Sequence, residues 1–171
     1  MPPSDIDASR FREVLGHFAS GVTVVTAMED VPVGFTCQAF AALSLDPPMV
    51  LLAPAKSSTS WPRIAQAGAF CVNILASDQE TLARTFSVSG GDKFDGVAWR
   101  AGPETGAPVL DGSLAWAECR LGEIHDSGDH ELVTGLVVSL GVGDGHPLVF
   151  YRGGFGTFGP SPEPGAAKRV R

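Results

Sequence analysis

From position 22 onward the chain alternates short runs rich in Val, Ile, Leu, Phe and Thr with glycine, proline and Asp/Ser turn chemistry, and this punctuation limits the folds open to it. The runs are 22–27, 33–45, 49–53, 70–75, 114–125, 131–140 and 148–151, each of strand length or a little more and bounded by turn formers. With 21 Gly and 13 Pro the connections are many and tight, as a closed sheet requires when it turns corners and hides its edges. Helical spacing is confined to three places. Phe11, Val14, Leu15 and Phe18 fall at i, i+3, i+4 and i+7 behind the capping candidates Asp5, Asp7 and Ser9, with Gly16 and Gly21 at the far end. A second helix starts near Ser60-Trp61-Pro62, and a third spans about 78–86 with Leu82 and Phe86 on one face. The pattern predicts a mainly β chain with a few helices, closed as a barrel.

The 171 residues, 44% of them hydrophobic and 18% charged, suit one packed core and are too few for two ordinary domains. We read an N-terminal arm over 1–9, one domain over 10–158 and a tail over 159–171 whose Pro, Ser, Ala and charges show no periodicity, expected to be disordered. A net charge of −7 argues against nucleic acid or an anionic membrane as partner, so any anion site must be built locally. No run approaches a membrane span and the first ten residues do not read as a leader, which predicts a cytoplasmic protein. Cys37, Cys71 and Cys119 are odd in number and form no CxxC pair, hence three free thiols.

Two segments stand out chemically. Lys56-Ser57-Ser58-Thr59-Ser60-Trp61-Pro62 is a hydroxyl-rich loop with one lysine running into a helix, with Pro in its first turn. Hydroxyls, an ammonium and free N–H groups can cradle a phosphate. Equally, Ser60 caps the helix while Lys56 sits in solvent; spacing leaves both open. The run 33–48 is apolar except for a few placed polar groups, Thr36, Gln38 and Ser44, and ends in a Pro-Pro corner. Such a strand suits a flat apolar ring with polar edges; it is also what an ordinary buried strand looks like. Nothing near Cys37 would lower its pKa, so it reads as a packed thiol rather than a nucleophile.

Other signals carry less. Asp126-Ser127-Gly128-Asp129 is hairpin-turn chemistry flanked by His125 and His130, but those two histidines with Asp126 and Asp129 lack the further ligands of a metal site. The run 154–159 matches GxGxxG yet leads into Pro160, with neither the helix nor the later acidic residue of a dinucleotide-binding crossover. No GxSxG nucleophile elbow is present.

The ordered segments 11–26, 34–48, Phe70-Cys71-Val72-Asn73-Ile74-Leu75, Asp92-Lys93-Phe94 and Gly128-Asp129-His130 resemble the flavin reductase-like family, in particular the small reductase components of two-component flavin-dependent monooxygenases that serve aromatic or steroid hydroxylases. The resemblance covers about 11–155. It implies a split β-barrel, usually a homodimer, with FMN or FAD near the subunit interface and NADH as hydride donor, NADPH remaining open. It implies further that Thr36, Cys37, Gln38 and Ala39 line the flavin ring, that Lys56, Ser57, Ser58 and Ser60 take its phosphate end, and that Lys93 and Phe94 close over the site. His130 would contact NADH, while Tyr151 and Arg152 would approach the flavin. Hydride transfer between stacked rings asks the protein mainly to position them. Free reduced flavin would then pass to a separate monooxygenase. The Pro-rich tail departs from the family pattern. An oxidase of the pyridoxine-phosphate type on the same barrel would want more cationic residues than 12 Lys plus Arg, three of them in the tail; a non-enzymatic flavin sensor is the other alternative.

Overall fold

The computed structural model describes residues 6–159. Its elements run α1(Ala8–Leu15), β1(Ser20–Gly21), β2(Thr23–Met28), β3(Pro32–Cys37), β4(Phe40–Leu45), β5(Pro48–Leu52), α2(Trp61–Ala67), β6(Ala69–Ile74), α3(Glu80–Ser87), β7(Trp99–Ala101), β8(Pro108–Leu110), β9(Ala115–Ser127), β10(His130–Val142), β11(Leu148–Tyr151) and β12(Gly154–Thr157). Apart from Gly159, the expected tail lies outside the described residues, as do positions 1–5 of the expected arm.

Seven strands form one antiparallel sheet in the order β3-β2-β6-β9-β10-β5-β4. The run read as one strand over 33–45 is in fact two, β3 and β4, broken at Gln38-Ala39. These two strands are the opposite edges of the sheet. Laid flat at about 4.8 Å per strand, the edges would stand about 29 Å apart, whereas the steps from Cys37 to Phe40 reach only about 11 Å. The sheet must therefore curl until its edges meet, and the two-residue corner closes the barrel. Phe40 N donates to Gln38 O and Ala53 N to Ala39 O, fixing that corner.

β2 explains why the two larger apolar clusters lie on opposite faces of the sheet. Its alternating side chains point to opposite faces: Val25 and Ala27 join Leu52, Ile64, Phe70, Val72 and Val133 inside the barrel, while Val22 and Val24 just before and within it pack with Leu75, Ala83, Phe86, Leu110 and Leu148 outside. α3 closes this outer core. At Gly34 an added Cβ would lie 2.9 Å from the Phe86 ring and 3.0 Å from Val25 O, so a side chain there would push α3 off the barrel.

The first helix behaves differently. Asp7 caps it as expected, accepting from Ser9 N at 3.3 Å, but among the described residues nothing covers its apolar face: Phe11, Val14, Leu15 and Phe18 stay half or more exposed. No helix among the described residues is long and apolar enough to cross a membrane.

Candidate active site

A cleft of about 310 Å³ opens where the end of β3, the loop before α2, the segment after α3 and the β9–β10 turn converge, and it is lined by Thr36, Cys37, Gln38, Ser57, Ser58, Lys93 and His130 among others. Most of the residues expected to touch flavin or nicotinamide thus meet in one place. Ser60 and Phe94 line an adjoining cleft that shares Thr59 and Lys93 with the first. Ala39 lies one step round the barrel corner, in an apolar groove with Phe11, Leu15 and Phe18 that Gln38 also borders.

Besides Ser60, Phe94 and Ala39, three more expected site residues lie off this cleft. Lys56 turns its ammonium to the hairpin, donating to Asp126 Oδ1 at 2.9 Å and Gly128 O at 2.7 Å. Tyr151 and Arg152 sit at the β11–β12 turn against α1: the Tyr151 hydroxyl is 3.4 Å from His17 Nδ1, and Arg152 N donates to Gly16 O. Arg152 borders a groove with Gln38, Phe11 and Phe18 on the outside of the barrel.

The loop into α2 is built differently from either expectation. Ser58, not Ser60, caps the helix, its Oγ accepting from Trp61 N at 3.2 Å. Ser60 is buried, and its Oγ accepts from Lys93 Nζ at 3.3 Å. Lys93 Nζ also donates to Gly34 O and Phe86 O, at 3.2 and 3.3 Å. These partners are neutral, and no carboxylate lies within ion-pairing distance among the described residues. Burial holds its pKa below the ordinary lysine value. A cation held by neutral dipoles at the rim of a cleft is poised for an anion.

The β9–β10 hairpin is latched to the same loop. Ala55 bridges His130, Glu131 N donates to Pro54 O, Lys56 N donates to Asp129 O, and Trp61 Nε1 donates to Glu131. Gly128 takes the left-handed φ of 73° that the tight turn needs. His130 Nδ1 lies 2.7 Å from Asp129 Oδ1. That hydrogen bond, then the histidine's charge, holds the Asp129 carboxyl below the usual range. With Nδ1 so engaged, Nε2 is left for a ligand. Cys37 is buried and its thiol is pushed up to about 11 by that burial, so it contributes surface, not a nucleophile.

With this arrangement in view, the comparisons are decisive. Residues 15–159 match the model of the flavin reductase like domain. The chain belongs to the flavin reductase-like family. It is thus an oxidoreductase of the flavin reductase class. It is 51% identical over 150 residues to the reductase subunit of a flavin-dependent monooxygenase from Rhodococcus jostii, covering 86% of this chain and 76% of that one. An NADH-dependent FMN reductase from Agrobacterium fabrum is 43% identical over 157 residues, covering 91% and 89%. The solved structure of an NADH:FAD oxidoreductase from Streptomyces globisporus, with NAD and FAD fragments, superposes with a TM-score of 0.86 at 35% identity, over 90% of this chain and 94% of that one. The split-barrel fold expected from sequence is thereby established.

In this flavin reductase-like chain the Lys56 ammonium is engaged by the hairpin, through Asp126 and Gly128. The Lys56–Asp126 pair is partly solvated, worth up to about 1 kcal/mol. Lys56→Met is therefore expected to raise the KM for NADH by up to about fivefold through a looser His130, leaving the flavin KM nearly unchanged. Steady-state kinetics with each substrate varied in turn checks this; a selective rise in the flavin KM would return Lys56 to the phosphate site.

Proposed function

We propose that the chain reduces FMN or FAD with NADH and releases the reduced flavin to a separate monooxygenase that hydroxylates an aromatic or steroid-derived substrate. The observation that carries this reading is the convergence of Lys93, the Ser57–Ser58 hydroxyls and His130 on one cleft beside the barrel corner. A flavin phosphate suits that donor set, since an ammonium and two hydroxyls supply charge and hydrogen bonds to an anion. The corner Gln38-Ala39 offers backbone and amide groups to the edge of a flat ring. Bound flavin supplies the hydride acceptor. The residues around it position and exclude: His130 presents Nε2 toward the nicotinamide side, Cys37 provides a dry wall, and Lys93 offsets negative charge. No side-chain acid–base pair is required for hydride transfer between stacked rings. The FMN and NADH named in one relative and the NAD and FAD fragments of the solved structure support the choice of substrates.

The working unit is proposed to be a homodimer. Support comes from the apolar face of α1 and from Leu45, Leu140 and Val142, which are 95%, 69% and 86% exposed; patches of this kind mark association sites. The groove that Phe18 lines reaches Gln38 at the cleft, so a second copy would lie near the flavin. Phe18→Asp is expected to convert a dimer to a monomer in sedimentation and to weaken flavin binding; an unchanged dimer would place the interface elsewhere. A cytoplasmic location is proposed because NADH is supplied there and the three cysteines are free and buried.

Anaerobic mixing of catalytic protein with NADH and a large excess of flavin tests release. Complete bleaching of the visible flavin band is expected; reduction that stops at one flavin per chain would identify a tightly held cofactor instead.

A further inference from the structure

One buried residue ties two walls of the flavin cleft to each other. Trp61, the first residue of α2, donates its backbone N–H to Ser58 Oγ at 3.2 Å and its indole Nε1–H to the Glu131 carboxylate. Ser58 and His130, the neighbour of Glu131, both line that cleft. We propose that Glu131 is a positioning residue for the nicotinamide donor: by accepting from the Trp61 indole, it fixes the hairpin that carries His130 at a set height over the Ser57–Ser58 loop. The proposal rests on the flavin reductase reading above and deepens it at the NADH side.

The donor end of this contact is rigid. Trp61 is 3% exposed, packs in the barrel core with Ile64 and meets Phe35 edge-to-face at 6.4 Å between ring centroids. Pro62 follows it in the first turn, where a fixed φ suits the helix. An indole so held does not follow a drifting hairpin; the hairpin must come to it. The acceptor end has a matching direction. Side chains alternate between faces along β10, so Glu131 shares its face with Val133, which is buried in the barrel core. Docking Glu131 at the barrel mouth therefore sends His130 to the opposite face, where it borders the cleft.

Electrostatics select the docked arrangement. Glu131 stands directly opposite Asp126 in the hairpin register, and two carboxylates facing each other across a ladder repel. One loop relieves both: Lys56 Nζ donates to Asp126 Oδ1 at 2.9 Å, and Trp61 Nε1 donates to Glu131. The two contacts are not equal. The Lys56 and Asp126 side chains are 38% and 82% exposed, and water screens such a pair. Glu131 is half-buried against a buried donor, and a hydrogen bond to a charged acceptor strengthens as water is excluded. The bonds from Glu131 N to Pro54 O and from Lys56 N to Asp129 O are backbone contacts that survive a change of side chain. What they leave to Glu131 is the tilt of the strand and hence the aim of His130.

The test uses Glu131→Leu, Glu131→Gln and Trp61→Phe, with Glu131→Leu and Trp61→Phe also made in the His130→Ala background. Initial rates are measured with NADH and flavin varied in turn, and thermal melting is followed in parallel. Glu131→Leu and Trp61→Phe are each expected to raise the KM for NADH about tenfold, leaving the flavin KM nearly unchanged. Glu131→Gln, whose amide oxygen still accepts from the indole, restores most of the wild-type value. In the His130→Ala background neither substitution adds a further rise, because a positioning residue acts only through the group it positions. An unchanged NADH KM in Glu131→Leu overturns the proposal. So does an equal rise in both KM values, or a further rise in the NADH KM without His130, since either would make Glu131 a structural residue only. If the leucine variant melts too low to assay, Trp61→Phe decides by the same readouts. In each of these cases wild type that oxidises NADH with added flavin keeps the reductase reading; wild type that oxidises none removes that reading and this one with it.

Discussion

Lys93→Met raises the KM for flavin about 10- to 100-fold and leaves the folded chain as stable as before or slightly more so. The first effect follows from losing a charge-assisted contact worth about 1.5–3 kcal/mol to an anionic ligand. The second follows from where Lys93 sits. Its ammonium rests on three neutral oxygens, with no carboxylate among the described residues to offset the cost of partial burial, and a linear apolar side chain of similar length removes that cost. The pH dependence carries the same signature. Burial lowers the Lys93 pKa in the folded chain, so the unfolded chain holds this proton more tightly; stability rises with pH between the folded value and the ordinary lysine value. Flavin binding moves oppositely, weakening on the alkaline side as Lys93 discharges, and the variant loses that alkaline limb. Thermal melts and flavin KM across pH check both halves. An unchanged KM would mean that the phosphate is held elsewhere.

Glu118→Leu lowers the melting temperature by about 10 °C, the largest stability change expected from one substitution outside the aromatic core. Glu118 is fully buried on β9, and its carboxylate accepts from Glu104 N, from Thr105 N at 2.8 Å and from the Thr105 hydroxyl at 2.6 Å. It is the internal anchor of the β7–β8 turn. Leucine strands all three donors, at about 1–3 kcal/mol each when kept from water. Because the turn is partly exposed and can rehydrate, we take about 3 kcal/mol, and a chain of this length shifts by about 2–4 °C per kcal/mol. Glu118→Gln keeps an acceptor in place and is expected to cost less than half as much. Calorimetry decides, and a loss of under about 1 kcal/mol for leucine would show that the turn is held by other contacts. Flavin reduction by the folded variant should be close to normal, since Glu118 touches neither cleft.

The β-rich runs were legible because hydrophobic periodicity reports burial, and burial is what strands of this barrel experience. The same signal concealed the corner at Gln38-Ala39: an apolar run continues through it, because β3 and β4 are both needed by the sheet while the break between them is set by closure, a long-range requirement. β1, β7 and β8 were invisible for a different reason, being two or three residues long, too short for a period to register, and β12, Gly-Phe-Gly-Thr, carries a single large apolar residue. All three helices that the periodicity predicts form, although the apolar face of α1 stays exposed among the described residues.

In the site, residue types were easier to read than directions. The hydroxyl-rich loop, Lys93 and His130 meet as the resemblance implied, yet nothing local told Lys56 to turn to Asp126, because its partner lies 70 residues away. Ser58 and Ser60 exchange roles for a similar reason: the helix start selects one for the cap, and the arrival of Lys93 from a distant loop occupies the other.

The most direct test of the central claim is NADH consumption by the purified chain under air, followed in the near ultraviolet with and without added FMN or FAD. Oxidation that depends on added flavin and saturates with its concentration is the predicted result. Flavin binding without NADH oxidation would contradict the account.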